Sequence, residues 1–95
     1  MEINFEWDEV KNQLNIAKHG ISFEEALTVF DDINGLLIPD RAHSEDEDRF
    51  LLLGLSGYAK LMVVCHCYRL KETVIRIISA RKATKNEISQ YERRK

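Results

Sequence analysis

Ninety-five residues, 44% of them hydrophobic and 32% charged, with a net charge of −2, make one domain with a modest core and leave no room for a second. That balance excludes disorder and low complexity. The longest apolar stretch, Leu61 to Cys67 with His66 inside it, is far too short for a membrane span.

The charge is unevenly distributed. Up to Asp48 there are 13 acidic and 3 basic residues; from Arg49 onward there are 11 basic and 3 acidic ones. A basic half suits phosphate binding, and an acidic half suits a basic partner or plain solvation. The start, Met1-Glu2-Ile3-Asn4, lacks the charged and apolar regions of a signal peptide, so a cytoplasmic location without membrane contact is expected.

In chain order, Ile3, Phe5 and Trp7 alternate with polar residues as a short strand. Asp8 caps a helix in which Val10, Leu14 and Ala17 recur at i, i+4 and i+7, the pattern of a core-facing stripe. Lys18-His19-Gly20 ends it, with His19 placed as a residue favoured by the helix dipole. Ser22 and Glu25 form a capping box for a second helix that buries Phe23, Ala26, Leu27 and Phe30. Leu36 to Ile38 is a strand closed by Pro39, and residues 40–48 are a long acidic loop. Three strands follow, over 49–55, 60–68 and 73–79, joined by short turns and expected as an antiparallel meander. The capping box Thr84 to Glu87 opens a last helix running to about Arg94, whose large apolar residues are Ile88 and Tyr91. The order β-α-α-β-β-β-β-α predicts an α+β domain over residues 1–95, an antiparallel sheet packed with two N-terminal helices and one C-terminal helix.

Cys65 and Cys67, two apart on one strand face, are spaced poorly for a disulfide and read as small core residues. No phosphate-cradling glycine loop or nucleophile elbow occurs. No metal or cofactor is expected.

Several segments together resemble the BrnT family of type II toxin–antitoxin systems. They are Phe5-Glu6-Trp7-Asp8 with Lys11, the run from Lys18 to Ala26 (KHGISFEEA), Val29-Phe30-Asp31-Asp32, His43-Ser44-Glu45 with Arg49-Phe50, and Arg76 to Thr84 (RIISARKAT) with Glu87 and Tyr91-Glu92. The chain departs from the pattern at Arg69-Leu70-Lys71-Glu72, a turn without glycine. The resemblance implies a RelE-like fold and an endoribonuclease that inhibits translation. It also implies neutralisation by a BrnA-like antitoxin, through which operator DNA is bound.

Metal-free RNA cleavage needs a base for the ribose 2′-hydroxyl, an acid for the leaving 5′-oxygen and cations for the charge that grows on phosphorus. The basic half offers Arg76, Arg81 and Lys82, and arginine's planar fork matches phosphate oxygens. Strand alternation puts Arg76 with Val74 and Ile78 on one face and Arg81 with Ile75, Ile77 and Ser79 on the other, so the two arginines need not converge. His66 is either a satisfied core residue or a general acid or base. His43 is either a hydrogen-bonded loop anchor or a mobile acid, Tyr91 either stacks on a base or donates to phosphate, or else anchors its helix, and Lys82 is either a phosphate contact or plain surface. Arg76, Arg81 and His66 are thus the catalytic candidates; Lys82, Tyr91 and His43 are the substrate-binding ones. Two other functions stay open: a non-catalytic co-repressor acting with an antitoxin, and a standalone RNA-binding domain.

Overall fold

The computed structural model describes residues 3–43 and 47–94. Ser44, Glu45 and Asp46 of the acidic loop lie outside the described residues. So does the His43 side chain, although the backbone of His43 closes a short 3-10 turn, Arg41–His43.

The strands are β1 (Asn4–Glu6), β2 (Leu36–Pro39), β3 (Phe50–Leu55), β4 (Leu61–Arg69) and β5 (Val74–Lys82); the helices are α1 (Glu9–His19), α2 (Phe23–Leu27) and α3 (Lys85–Arg94). They build one sheet in the order β1-β5-β4-β3-β2. The expected meander is present from β3 to β5, and β2 adds antiparallel to β3, but β1 lies parallel to β5, with Asn4 opposite Val74 and Glu6 opposite Arg76. The sheet is therefore mixed rather than wholly antiparallel. A parallel neighbour needs a crossover connection, and everything from α1 to β4 supplies it.

The local signals in the sequence fold as they read. The Asp8 carboxylate accepts from the backbone N–H of Val10 at 2.8 Å, and Gly20, at φ 70°, donates to Ile16 O at 2.8 Å. Thr84 and Glu87 close a reciprocal capping box at the start of α3. The other box is half formed. Ser22 Oγ accepts from Glu25 N at 3.0 Å, but the Glu25 carboxylate turns away, to Ser56 Oγ at 3.2 Å and Lys60 Nζ at 3.8 Å, and so ties α2 to the β3–β4 turn. In the glycine-free turn, Leu70, Lys71 and Glu72 all have positive φ. Each such non-glycine residue costs about 1 kcal/mol or more.

One helix packs the other way round from its pattern. Val10 and Leu14 are 68% and 64% exposed, and Ala17 is exposed with them. The buried positions of α1 are Asn12 and Asn15. Asn12 Oδ1 accepts from Phe23 N at 2.8 Å. The Asn15 carboxamide accepts from Ala80 N at 3.1 Å and donates to Ala80 O and Ile21 O, both at 2.9 Å. The reason lies in the sheet. β1 pairs with β5 only as far as Arg76, so the backbone of Ala80 needs a partner on that side, and a buried amide group left unpaired is costly. Asn15 meets that need as a strand would.

The core lies between the sheet and α1–α2. It contains Ile21, Phe23, Ala26 and Val29 from the helical segment and Leu52, Met62, Val64, Ile77 and Ala80 from the sheet, with Phe5, Trp7, Leu27 and Phe30 packed at its border. The opposite face is covered at one end only. There α3 lays Tyr91 over Leu53 and Val63, and the Tyr91 hydroxyl donates to Asp32 Oδ2 at 2.7 Å.

Candidate active site

A bulge decides which residues meet. Cys65 pairs with Ser79, but the next residue of β4, His66, pairs with Ile77, so Ile78 is left over in β5. An extra residue on one strand reverses the alternation beyond it. Uninterrupted alternation would separate Arg76 from Arg81. With Ile78 bulged, Arg76, Ser79 and Arg81 share one face, opposite Ile77 and Ala80, which point into the core. It is the face that α3 leaves partly open, and Cys65 and Cys67 lie on it too.

Beside Arg81 the open face forms a hollow of about 290 Å³ lined by Asp40, Arg49, Leu51, Cys65, Ile78, Ser79 and Arg81. Asp40 and Arg49 reach it because the acidic loop closes on itself at its base, where Asp40 N donates to Arg49 O at 2.8 Å. Arg49 also stands 3.7 Å from Glu47.

Arg81 is held from one side only. Its Nη1 and Nη2 donate to Glu87 Oε1 and Oε2 at 2.8 and 3.0 Å, and Nη1 also donates to Lys82 O at 3.3 Å. This fork keeps the Glu87 carboxyl down to about 2 and raises Arg81 above its ordinary value. A guanidinium has five N–H donors. Glu87 and Lys82 take three of them, which leaves Nε–H and the second hydrogen on Nη2 without a partner among the described residues. Those two point the same way from the edge of the guanidinium plane, in the bidentate geometry that suits a phosphate. Since Glu87 also caps α3, the helix and the arginine are set by the same carboxylate.

Arg76 belongs to a neighbouring cluster. Its Nη1 donates to Glu6 Oε2 at 2.9 Å, and Arg69 Nε lies 3.6 Å from that same oxygen. The two candidate arginines thus share a face but not a pocket.

The other sequence candidates go elsewhere. His66 is 0% exposed and faces the helices, with its ring 4.8 Å from that of Phe30. One ring nitrogen is 3.1 Å from Val64 O and the other 3.3 Å from the Tyr68 hydroxyl. Burial lowers its pKa. Of the two readings left open for this residue, the arrangement matches the core histidine: its ring is enclosed on the helix side of the sheet, away from Arg81, with both nitrogens near an oxygen. Tyr91 matches the anchoring one of its readings. Its ring is buried and its hydroxyl, pushed up to about 12 by burial and then by Asp32, is an anchor; no face is left for a base. Lys82 is exposed and lines a separate surface depression with Leu55, Leu61 and Ile88. His43 contributes no described side chain.

Cys65 and Cys67 are free and buried, as their spacing indicated. Burial raises both thiols, and the charges of Asp40 beside Cys65 and Glu47 beside Cys67 raise them further. They are poor nucleophiles.

Sequence reasoning missed Asp40, Arg49, Ser79, Glu6 and Arg69. Asp40 and Arg49 do bracket the unusually long loop, which was a usable signal. The convergence of Ser79 with Arg81, and of Glu6 with Arg69 and Arg76, depends on the bulge and on the parallel pairing of β1, for which the sequence carries no local mark.

An α+β domain with one helix-covered sheet face and one open, arginine-lined face is the class of protein these observations define. A profile of the family described as "Ribonuclease toxin, BrnT, of type II toxin-antitoxin system" matches residues 7–87, and the chain belongs to that family. It is similar to the crystal structure of the Brucella abortus ribonuclease toxin BrnT, with a TM-score of 0.67 and 29% identity over 90% of this chain and 99% of that one. No curated protein matches the sequence. Family membership carries with it an antitoxin partner, and the expected α+β, RelE-like class agrees with the observed fold.

Proposed function

We propose that the chain is an endoribonuclease toxin that cleaves RNA in the Arg81 hollow, inhibits translation and is neutralised by a BrnA-like antitoxin, with operator DNA contacted only through that antitoxin. The observation that carries this reading is the unused edge of Arg81, two parallel N–H donors on a residue that lines a hollow together with a carboxylate, Asp40.

In this mechanism the edge of Arg81 grips the non-bridging oxygens of the scissile phosphate, and Arg49 adds a second positive charge. Asp40 accepts the proton of the ribose 2′-hydroxyl as its oxygen attacks phosphorus. The bond to the 5′-oxygen breaks, and a solvent proton neutralises the leaving oxygen. The products are a 2′,3′-cyclic phosphate and a 5′-hydroxyl. Arginine is favoured here because both of its donors strengthen as charge accumulates on the phosphorane. No step calls on a metal ion, so cleavage is expected to persist in EDTA.

The test is cleavage of a defined RNA by the purified chain and by Arg81→Ala. Removing a donor of this kind costs about 100-fold or more in rate. The circular dichroism of the variant should match that of the parent. Equal cleavage by both proteins would overturn the assignment.

A second reading, a non-catalytic co-repressor, is favoured by one observation: Arg49, Arg69, Arg76 and Arg81 each already face a carboxylate. It predicts full antitoxin binding with no RNA cleavage at any protein concentration.

A further inference from the structure

The cluster of Arg69, Arg76 and Glu6 stands apart from the hollow, and the proposed cleavage step makes no use of it. Its geometry is specific. Two guanidinium groups, from adjacent strands β4 and β5, converge on one carboxylate oxygen carried by β1. The two side chains are 50% and 32% exposed, so an anion from solvent can reach both. A carboxylate and a phosphate present arginine with the same paired oxygens. The position of Glu6 therefore marks where a phosphate fits.

Arg76 and Arg81 lie five residues apart on β5 with one of them bulged, which places their Cα atoms roughly 13 to 16 Å from one another. As held, the two guanidinium groups face different carboxylates, Glu6 and Glu87, and do not converge on one point. That arrangement suits two phosphates of the same strand laid along β5, because both arginines stand on the same open face.

We infer that Arg69 and Arg76 form a second phosphate subsite, which holds a flanking phosphate of a single-stranded RNA whose scissile phosphate sits at Arg81, with Glu6 occupying that subsite until RNA displaces it. The cluster thus sets the length of RNA the chain acts on. Arg76 moves from the reacting phosphate to a neighbouring one. Glu6 opposes binding, since its charge must be displaced or repelled when RNA arrives. This inference rests on the proposed ribonuclease reading.

The experiment compares a dinucleotide, which carries one phosphodiester, with a hexanucleotide. For Arg69→Ala and Arg76→Ala, KM for the hexanucleotide should rise about three- to tenfold, the range for a partly exposed charged contact. The kcat for the hexanucleotide and both constants for the dinucleotide should stay as in the parent. Glu6→Gln should shift the hexanucleotide KM the opposite way, downward, which a merely structural residue would not do. Equal losses on the two substrates, or none on either, would overturn the subsite.

A binding arm keeps the inference testable apart from catalysis. The 2′-deoxy hexanucleotide is not cleavable by this route, and its dissociation constant is measured against salt. Each single-strand phosphate contact contributes roughly −0.7 to the log–log slope, so Arg76→Ala should flatten the slope by about that amount. If the parent binds with the expected slope but cleaves nothing, the ribonuclease reading fails while the subsite stands. If cleavage is present and the slope is unchanged by Arg69→Ala and Arg76→Ala, the subsite fails alone.

Discussion

The two faces of the sheet solve opposite problems with the same strands. On the helix face three buried polar side chains are enclosed and answered: Asn15 meets the backbone of Ala80 and Ile21, Asn12 meets Phe23, and His66 sits in a ring of Phe30, Phe50 and Tyr68. On the other face the arginines are held by carboxylates from one side and left accessible from another. Buried polar groups fix the fold because an unmet donor there is expensive, whereas half-exposed ion pairs add little stability and exchange partners readily. The face that must stay rigid and the face that must accept a ligand therefore differ in how completely their polar groups are satisfied, rather than in how many there are.

Breaking the closed face should cost the most stability. Asn15→Ala removes the partner of three backbone groups at once, Ala80 N, Ala80 O and Ile21 O. With each unmet buried group costing about 1–3 kcal/mol, and with water reaching some of them, a loss of about 3 kcal/mol is expected. Chemical denaturation reads it as a lower midpoint with an unchanged m-value. A change under about 1 kcal/mol would mean that Ala80 finds another partner and that α1 is not held through Asn15.

That asparagine also shows what was readable in advance. Capping residues act within four positions, so Asp8, Gly20, Ser22 and the Thr84–Glu87 box announced their helix ends correctly. The meander of β3 to β5 followed from short turns, whereas the pairing of β2 across the long loop did not. What the residues do not announce is any feature set by a distant strand. The parallel pairing of β1, the bulge at Ile78 and the need of Ala80 for a side-chain partner all arise once the sheet is assembled. Arg76 stood out in the sequence as a charged residue inside an apolar strand, and Arg81 as one at that strand's exit. Their shared face was not legible, since a single extra residue in β5 reverses the parity on which the sequence argument stood.

His66 separates the two faces by pH. Burial lowers its pKa from the ordinary value of 6.5, so the folded chain keeps it neutral at pH values where the unfolded chain binds a proton. The stability linked to this site is complete above pH 6.5 and falls as the pH drops below it, until the lowered folded pKa is reached. In His66→Leu that part of the decline should vanish, flattening the denaturation midpoint between pH 7 and pH 5. The cleavage rate of the folded variant at neutral pH should stay within about threefold of the parent, since no proton of the imidazole reaches the hollow. A rate falling as far as in Arg81→Ala would return His66 to the chemistry and collapse the distinction between the faces.

The smallest effect is expected where the sequence pattern promised one of the largest. Val10, Leu14 and Ala17 have the spacing of a buried stripe, and a buried leucine cut to a small polar residue loses several kcal/mol. Leu14 is instead 64% exposed, on the side of α1 opposite Asn12 and Asn15. Leu14→Ser removes little packing and should change the unfolding free energy by less than about 1 kcal/mol, mostly through helix propensity. The periodicity is genuine, but periodicity reports only that one side of a helix is apolar. Which side meets the sheet is decided by hydrogen bonds, and the carboxamide of Asn15 contributes three of them in the place where β5 has run out of neighbours. A thermal melt of Leu14→Ser beside Asn15→Ala measures the two contributions on one helix, and a larger loss in the serine variant would show that the apolar side is the one that holds α1 in place.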